Sequence, residues 1–369
     1  MAEIIGKSMA FKNPYNKRIL KVKELLNKKN LDVILFFSPE NIRYLTGFTG
    51  DSGVLVCKSG SNFLFTDSRY REQAIGEVHG ARIKKGDIGM LDICSFIGAD
   101  GIKHAGVESD AITLSLSLIL KRRARGVRFK PLITELLSLR AVKDSEELAS
   151  IKRAINISEN SLLNVMHLFK EGVTEREVAT ELECEMKKRG DNALSFEVIV
   201  LFGNRTSMPH GKPGKRKLKA GDLIIVDFGA RFNGYCSDET LTFVFKKVAP
   251  KQKFVYTAVN DARLYAIEKI KAGVKASEVD ALTRGFLKKK GLAKYFGHGL
   301  GHGIGLAVHE PPVISIRSDV VLEEGMVFTI EPGVYIPGWG GVRLEDMVVV
   351  EKHGAKVLTN LSKELEILR

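Results

Sequence analysis

Histidines and carboxylates gather in three short stretches of the second half of this chain. In FGHGLGHGIGLAVHEPP, glycine occupies 297, 299, 301, 303 and 305, alternating with His298, Leu300, His302 and Ile304, and His309 follows shortly after. So much glycine rules out a stable helix, and with it a helical zinc motif. In an extended chain His298 and His302 point to one side with no opposing side chain, so a ligand or another backbone can come close. A single histidine would read as structural; three within twelve residues, amid so much glycine, read as a site. The segment DLIIVDFGARFNGYCSDETLTF sets Asp227 at the end of one apolar run and Asp238 at the start of the next. Taken alone, Asp227 reads as a turn or capping residue, yet a charge on an apolar strand is costly unless paired or metal-bound. In FTIEPGVYIPGWGGVRLEDMVVV, Glu331 lies within one apolar strand, while Arg343 and Glu345 are two apart on a second and share a face. A surface salt bridge is the plainer reading of that last pair, and its apolar flanks Val342 and Leu344 weigh against it.

Together these segments offer four carboxylates and at least one imidazole, all on β-scaffolding. Such oxygen-rich ligation suits hard divalent ions such as Mn²⁺, with Co²⁺ or Zn²⁺ tolerated. Four carboxylates balance two divalent cations, and two metals roughly 3.5–4 Å apart can activate one water and polarise a carbonyl together. The expectation is a two-metal site.

The elements that must hold these groups follow from periodicity and punctuation. Segment 222–228 and segment 238–245 read as a hairpin around the turn Ala230–Gly234. Further strands are expected over 196–202, 326–335 and 342–350, the last two joined by the turn Pro337–Gly341. Helical spacing marks 253–271 and 277–290. Upstream, Asp144 reads as a helix cap opening DSEELASIKRAINISENSLLNVMHLF, and TEREVATELECEMKKRG is a second helix ending at Gly190. The first third alternates helix and strand patterns. Residues 18–29 read as a helix, 32–37 as a buried strand, NIRYLTGFTGDSGVLV as a glycine-punctuated loop leading into a strand at 54–57, and NFLFTDSRY as strand-like. No internal repeat is visible.

Composition bounds the rest. The chain has 369 residues, 44% hydrophobic and 27% charged, enough to bury a full core and to form two domains. The apolar run at 33–37 is far short of the ~20 residues that span a bilayer, so no membrane partner is expected. The start, MAEIIGKSMAFKNPYNK, lacks the apolar stretch of a secretory signal, and Cys57, Cys94, Cys184 and Cys236 form no CxxC pair. A cytoplasmic location is expected. The net charge of +13 raises the question of nucleic acid, and six of the ten residues in KRRARGVRFK (121–130) are basic. Without aromatic interleaving or a recognised motif, that run reads as a solvated edge of the first domain.

Asp227, Asp238, His302, Glu331 and Glu345, in their local settings, resemble the five-ligand signature of the pita-bread metallopeptidases, which include methionine aminopeptidase, aminopeptidase P and prolidase. In the first domain, NIRYLTGFTGDSG and FTDSRYREQA resemble the N-terminal domain of the Xaa-Pro peptidases and creatinase, so the likeness covers nearly the whole chain. It implies an α/β creatinase-like N-terminal domain over 1–140 and an α+β pita-bread catalytic domain over 141–369. It further implies that Asp227 holds one metal, that His302 and Glu331 hold the other, and that Asp238 and Glu345 bridge the two. His298 and His309 resemble the substrate-side histidines that orient the scissile carbonyl. His210, in GNRTSMPHGKP, sits where the family keeps another active-site histidine, and Arg343 and Tyr335 resemble residues that support the metal site. His309 and Glu331 are the candidates for proton handling. Leu241 departs from the pattern, since many relatives have arginine there, which leaves the ligands intact but puts the contacts behind them in question.

The activity implied is hydrolysis of the bond preceding proline in a peptide with proline at the second position. GFTGDSG and FTDSRY lean toward an aminopeptidase P-like enzyme, with an Xaa-Pro dipeptidase (prolidase) as the alternative. Pita-bread domains also serve as non-catalytic binding modules, a reading that the complete ligand set disfavours. A homodimer is expected by the same resemblance.

Overall fold

Asn13 opens the first helix: its side chain accepts a hydrogen bond from the Tyr15 amide and Pro14 takes the first helical position, giving α1, Pro14–Lys29. The helix therefore starts four residues before the apolar periodicity does, because cap and proline signals lie outside the buried face. That face is Ile19, Val22, Leu25 and Leu26. The protein is described by a computed structural model covering residues 13–84, 90–99 and 101–369. It divides into two units, Met1–Arg140 and Ala141–Arg369.

The N-terminal unit is a mixed six-stranded sheet with helices. Its strands are β1 (Val33–Phe36), β2 (Val54–Lys58), β3 (Asn62–Phe65), β4 (Arg82–Lys84), β5 (His104–Glu108) and β6 (Arg128–Leu132), in the order β4-β3-β2-β1-β5-β6. The stretch NIRYLT, expected as loop, belongs instead to α2, Pro39–Thr46. Ser38 caps it by accepting from the Asn41 amide, Pro39 begins it, and Gly47 ends it at φ 84°, a conformation that favours glycine. Eight residues with strong caps outweigh a periodicity too short to see. The strand expected in NFLFTDSRY stops at Phe65, where Asp67 caps a single 3₁₀ turn leading into α3 (Arg71–Glu77). Helices α4 (Met90–Ala99), α5 (Leu114–Arg123) and α6 (Thr134–Leu137) follow. Val33, Leu35, Val56, Ile97 and Leu120 form the core of this unit.

The basic run over 121–130 finds a local explanation here. Lys121, Arg122 and Arg123 occupy the last turn of α5, where cations meet the negative end of the helix dipole. Arg128, Lys130 and Pro131 lie on β6, an edge strand, and charge and proline are what discourage edge-to-edge pairing.

In the C-terminal unit two pairs of helices back two sheets. Asp144 caps α7 (Ser145–Val165), accepting from the Glu146 and Glu147 amides, while the Glu147 side chain returns to the Asp144 amide. Thr174 and Glu177 form the same box on α8 (Glu175–Arg189), which stops at Gly190. These helices cover β7 (Ile199–Phe202), β8 (Leu223–Phe228) and β11 (Glu239–Phe245), through a core that includes Leu182, Met186, Val200, Val226 and Phe243. Strands β8 and β11 pair antiparallel, with Thr240 opposite Asp227. Between them a smaller hairpin, β9 (Arg231–Phe232) and β10 (Tyr235–Cys236), turns at Asn233 and Gly234, both at positive φ.

The second pair is α9 (Pro250–Lys269) and α10 (Ala276–Lys289). Val259, Ala262, Val279 and Leu287 pack with Phe328, Ile330, Val342 and Val348. The sheet there contains β12 (Gly301–Gly303), β13 (Glu310–Ile314), β14 (Val327–Ile330), β17 (Asp346–Glu351) and β18 (Gly354–Val357), ordered β13-β12-β14-β17-β18. The two strands expected over 326–335 and 342–350 are each interrupted. The ladder closes at Ile330–Asp346 and resumes as a separate hairpin, β15 (Gly333–Ile336) with β16 (Gly340–Arg343), at Gly333–Arg343. Pro332 has no N–H to donate. The amides beside the break turn elsewhere: Glu331 donates to Leu300 O at 2.8 Å and Glu345 to Thr240 O at 3.1 Å. Glu331 therefore lies just past the end of a strand rather than within one. Likewise, Arg343 ends one strand and Glu345 precedes the next, so they do not share a strand face.

Candidate metal centre

Both acidic pairs sit where a regular ladder gives way. Asp227 is next to last in β8 and Asp238 immediately precedes β11, while Glu331 and Glu345 occupy the two sides of the interruption between β14/β17 and β15/β16. Threonines join the two parts. Thr242 Oγ1 donates to Arg343 O at 2.7 Å and accepts the Arg343 amide at 3.1 Å, and Thr240 Oγ1 donates to Glu345 Oε2 at 2.7 Å.

The glycine alternation earns its place at two positions. A side chain on Gly301 would collide with the Thr329 carbonyl, and one on Gly303 with the backbone at Glu310 and Pro311. Strand β12 is thereby sandwiched between β13 and β14, with a register shift between His302 and Gly303. Such an irregularity re-aims a side chain. His302 directs Nδ1 at the Gly303 carbonyl, 3.2 Å away, and Nε2 toward Asp238 Oδ2 and Glu331 Oε1, each at 3.6 Å.

A cavity of about 540 Å³ is lined by nine of the residues marked in the sequence: His210, Asp227, Asp238, His298, His302, His309, Glu331, Arg343 and Glu345. Their roles within it differ in geometry. Ligand atoms of Asp238, His302 and Glu345 lie within 4.8 Å of one another. Glu331 meets this group through His302, with Thr329 Oγ1 3.5 Å from its Oε1. Asp227 stands apart from the group of three: its Oδ2 takes a 2.5 Å bond from Arg343 Nη2, and its buried Oδ1 has no partner. His302 and His309 pack ring against ring, 4.2 Å between centroids. His298 directs Nδ1 to Gly299 O at 2.8 Å and Nε2 to the Tyr335 hydroxyl at 3.1 Å. Tyr335 in turn accepts from Arg343 Nη1 at 2.9 Å. His210 is exposed at the rim.

The electrostatics of the cluster are severe. Burial raises the Asp238 carboxyl well above its ordinary range, and the charges of Glu345, Asp227 and Glu331 raise it further. Glu345 is raised well above its range by burial, then by Glu331 and Asp227. Burial lifts Glu331 to about 8 and also raises Asp227, with the Arg343 charge opposing both. His298 and His302 are pushed down to about 4, chiefly by burial, and burial also lowers His309. Four acids, Asp238 and Glu345 buried and Asp227 and Glu331 largely so, crowd together with one arginine to oppose them, and one carboxylate oxygen is orphaned. Divalent cations remove both penalties, so the donor set fits them.

Sequence reading missed the groups that hold this arrangement. Thr240 bonds both Glu345 and Arg343 Nε, and its signal was its place two residues after Asp238. Leu241, on the opposite face, is buried in the core beneath the helices, which accounts for an apolar residue there. Asp280 and Arg284 on α10 grip the histidine segment: Asp280 accepts the Leu300 amide at 3.1 Å, and Arg284 donates to the carbonyls of Phe296 and His298. The buried pair Lys143–Glu310, 2.8 Å apart, lies directly after His309. Asp280 and Arg284 are spaced four apart on one helix, a signal the sequence carried, whereas Lys143–Glu310 has no local signature.

Comparison with known proteins agrees with this architecture. Residues 149–352 match metallopeptidase family M24, and residues 18–142 match the creatinase/prolidase N-terminal domain. An Xaa-Pro dipeptidase of Pyrococcus horikoshii is 35% identical over 95% of this chain and 99% of its own length. Among solved structures, an Xaa-Pro dipeptidase from Bacillus anthracis superposes with a TM-score of 0.92 at 37% identity, covering 96% of this chain and all of the other. An X-Pro aminopeptidase from Thermotoga maritima gives 0.84 at 35% identity, covering 92% and 98%. The chain is a member of metallopeptidase family M24, built as a creatinase/prolidase-type N-terminal domain followed by the M24 catalytic domain.

Proposed function

We propose that this protein is an Xaa-Pro dipeptidase that uses two divalent metal ions. The observation that carries the reading is the gathering of Asp238, His302 and Glu345 within mutual ligand distance, in one cavity with Asp227, Glu331 and three further histidines. The Xaa-Pro dipeptidases among the similar proteins favour dipeptides over the aminopeptidase P-like preference expected from GFTGDSG and FTDSRY. The Thermotoga maritima relative supports Xaa-Pro aminopeptidase as the second reading.

Asp227 would hold one ion, His302 and Glu331 the other, and Asp238 and Glu345 both. Mn²⁺ suits this oxygen-rich set. When bound, such ions supply Lewis acidity, acidifying water toward neutrality and polarising a carbonyl. The chain's own groups do the rest. Phe196, Ile199, Val308 and Val313 line the cavity and offer an apolar wall for the proline ring. His298 stays neutral, with Nδ1 held by Gly299 and Nε2 by Tyr335, so its ring forms a fixed part of the cavity wall. The departing proline nitrogen must gain the proton that the attacking water loses, and His309 and Glu331, which line the cavity, would relay it. Arg343 ties Asp227, Thr240 and Tyr335 into one frame. The free cysteines Cys57, Cys94, Cys184 and Cys236 support a reducing cytoplasm. Family resemblance supports a homodimer, to be checked by light scattering.

The test is elemental analysis after Mn²⁺ loading, with hydrolysis of Ala-Pro and Ala-Pro-Ala. Two metals per chain and preferred cleavage of Ala-Pro are expected. Preference for Ala-Pro-Ala would establish the aminopeptidase, and cleavage of neither would refute both readings.

A further inference from the structure

We propose that Lys212 receives the free carboxylate of an Xaa-Pro dipeptide and so sets the preference for dipeptides over longer peptides. The inference rests on the dipeptidase reading and names the group that would enforce it. Among the described residues lining the cavity, only Arg343 and Lys212 carry a permanent positive charge. Arg343 is committed. Its Nε donates to Thr240 Oγ1 at 3.0 Å, its Nη1 to Pro209 O at 3.1 Å and Tyr335 Oη at 2.9 Å, and its Nη2 to Asp227 at 2.5 Å. It is also buried, so a substrate carboxylate could reach it only by breaking that frame.

Lys212 differs in every respect. Its Nζ pairs with Glu197 Oε2 at 2.9 Å, and the two side chains are 80% and 81% exposed. An ion pair so open to water is weak, so an incoming carboxylate can replace Glu197 at little cost. The surroundings suit the exchange. Phe196 lies beside Glu197 in the chain, Ile199 two residues on, and Pro213 beside Lys212, and all line the same cavity. The carboxylate of a dipeptide's proline is attached directly to the ring, so a cation bordering the apolar wall is where that charge arrives. In a longer peptide the same carbon bears a neutral amide. It gains little from an ammonium group and leaves the Lys212–Glu197 pair undisturbed.

The test compares Ala-Pro with Ala-Pro-amide, which differ only in that charge, using the Mn²⁺-loaded full-length protein. Lys212→Met should lower the ratio of kcat/KM for Ala-Pro to that for the amide about tenfold, with the loss in KM rather than kcat. Lys212→Arg should restore most of the ratio, and Glu197→Gln, by releasing Lys212, should raise it about twofold to fivefold. An unchanged ratio in Lys212→Met, while the wild type still favours Ala-Pro, overturns the assignment and leaves the dipeptidase reading standing. Wild-type protein that cleaves neither compound overturns the dipeptidase reading and this inference together.

Discussion

Thr240 shows how much of this site depends on a single hydroxyl. It donates to Glu345 and accepts from Arg343, so it orients one proposed metal ligand and the arginine that holds another. Groups that orient ligands in this way typically change metal affinity about 10–100-fold when lost. Thr240→Val keeps the shape and removes the bonds, and metal affinity should fall by that factor in a competitive chelator titration. Unchanged affinity would mean Glu345 is held some other way. The ligand candidates were legible in the sequence because acids on apolar runs and histidines among glycines are conspicuous. Of their partners, Arg343 and Tyr335 were marked by resemblance alone and Thr240 not at all. Thr240 looks like any strand threonine, and Asp227's bond to Arg343 joins residues 116 positions apart.

Among the elements, helices announced by caps were readable, as Asp144 and Gly190 show, whereas the broken hairpin was not. Apolar periodicity runs straight through 326–335, and the interruption comes from Pro332 and from amides that turn to Leu300 and Thr240, which only the assembled fold supplies. Strand β12 makes a sharper case. Since a methyl group on Gly301 would meet the Thr329 carbonyl, Gly301→Ala should cost about 1–3 kcal/mol by overpacking and should displace His302. Urea denaturation and metal content report the two effects, and a variant with wild-type values for both would contradict the close packing. The pair Lys143–Glu310, with side chains 0% and 1% exposed, supports the loop after His309. Lys143→Met should destabilise the protein by about 3–5 kcal/mol, because it removes the countercharge of a buried carboxylate. Adding Glu310→Leu should recover much of that loss in the same urea titration; a double variant no better than the single one would sink the explanation.

For the molecule as a whole, the opening balance of +13 conceals a centre of opposite sign. In the metal-free protein Asp238 and Glu345 are raised and Glu331 titrates near 8, against roughly 4 for unfolded carboxyls. The folded state thus holds more protons than the unfolded state between those limits, and its stability falls as pH rises through them. His298 and His302, lowered to about 4, work the other way. They cost stability as pH drops below about 6.5 and add no slope above it. Bound cations keep the carboxylates ionised and abolish the loss. The gap in Tm between Mn²⁺-loaded and metal-stripped protein should therefore widen from pH 6.5 to pH 8, as calorimetry would show. A constant gap would mean that the acids are not repelling one another.

The interrupted hairpin also bears on the order in which the chain assembles. Glu331 and Glu345 arrive together on one local hairpin, and Asp227 and Asp238 on another, each of a kind that closes within microseconds. The bond joining them, Thr240 to Glu345, spans 105 residues, and contacts of such separation come late. Mutual repulsion among the four acids is thus deferred to the final docking of two preformed pieces, the step at which dissolved divalent ions would have most influence on the rate of folding.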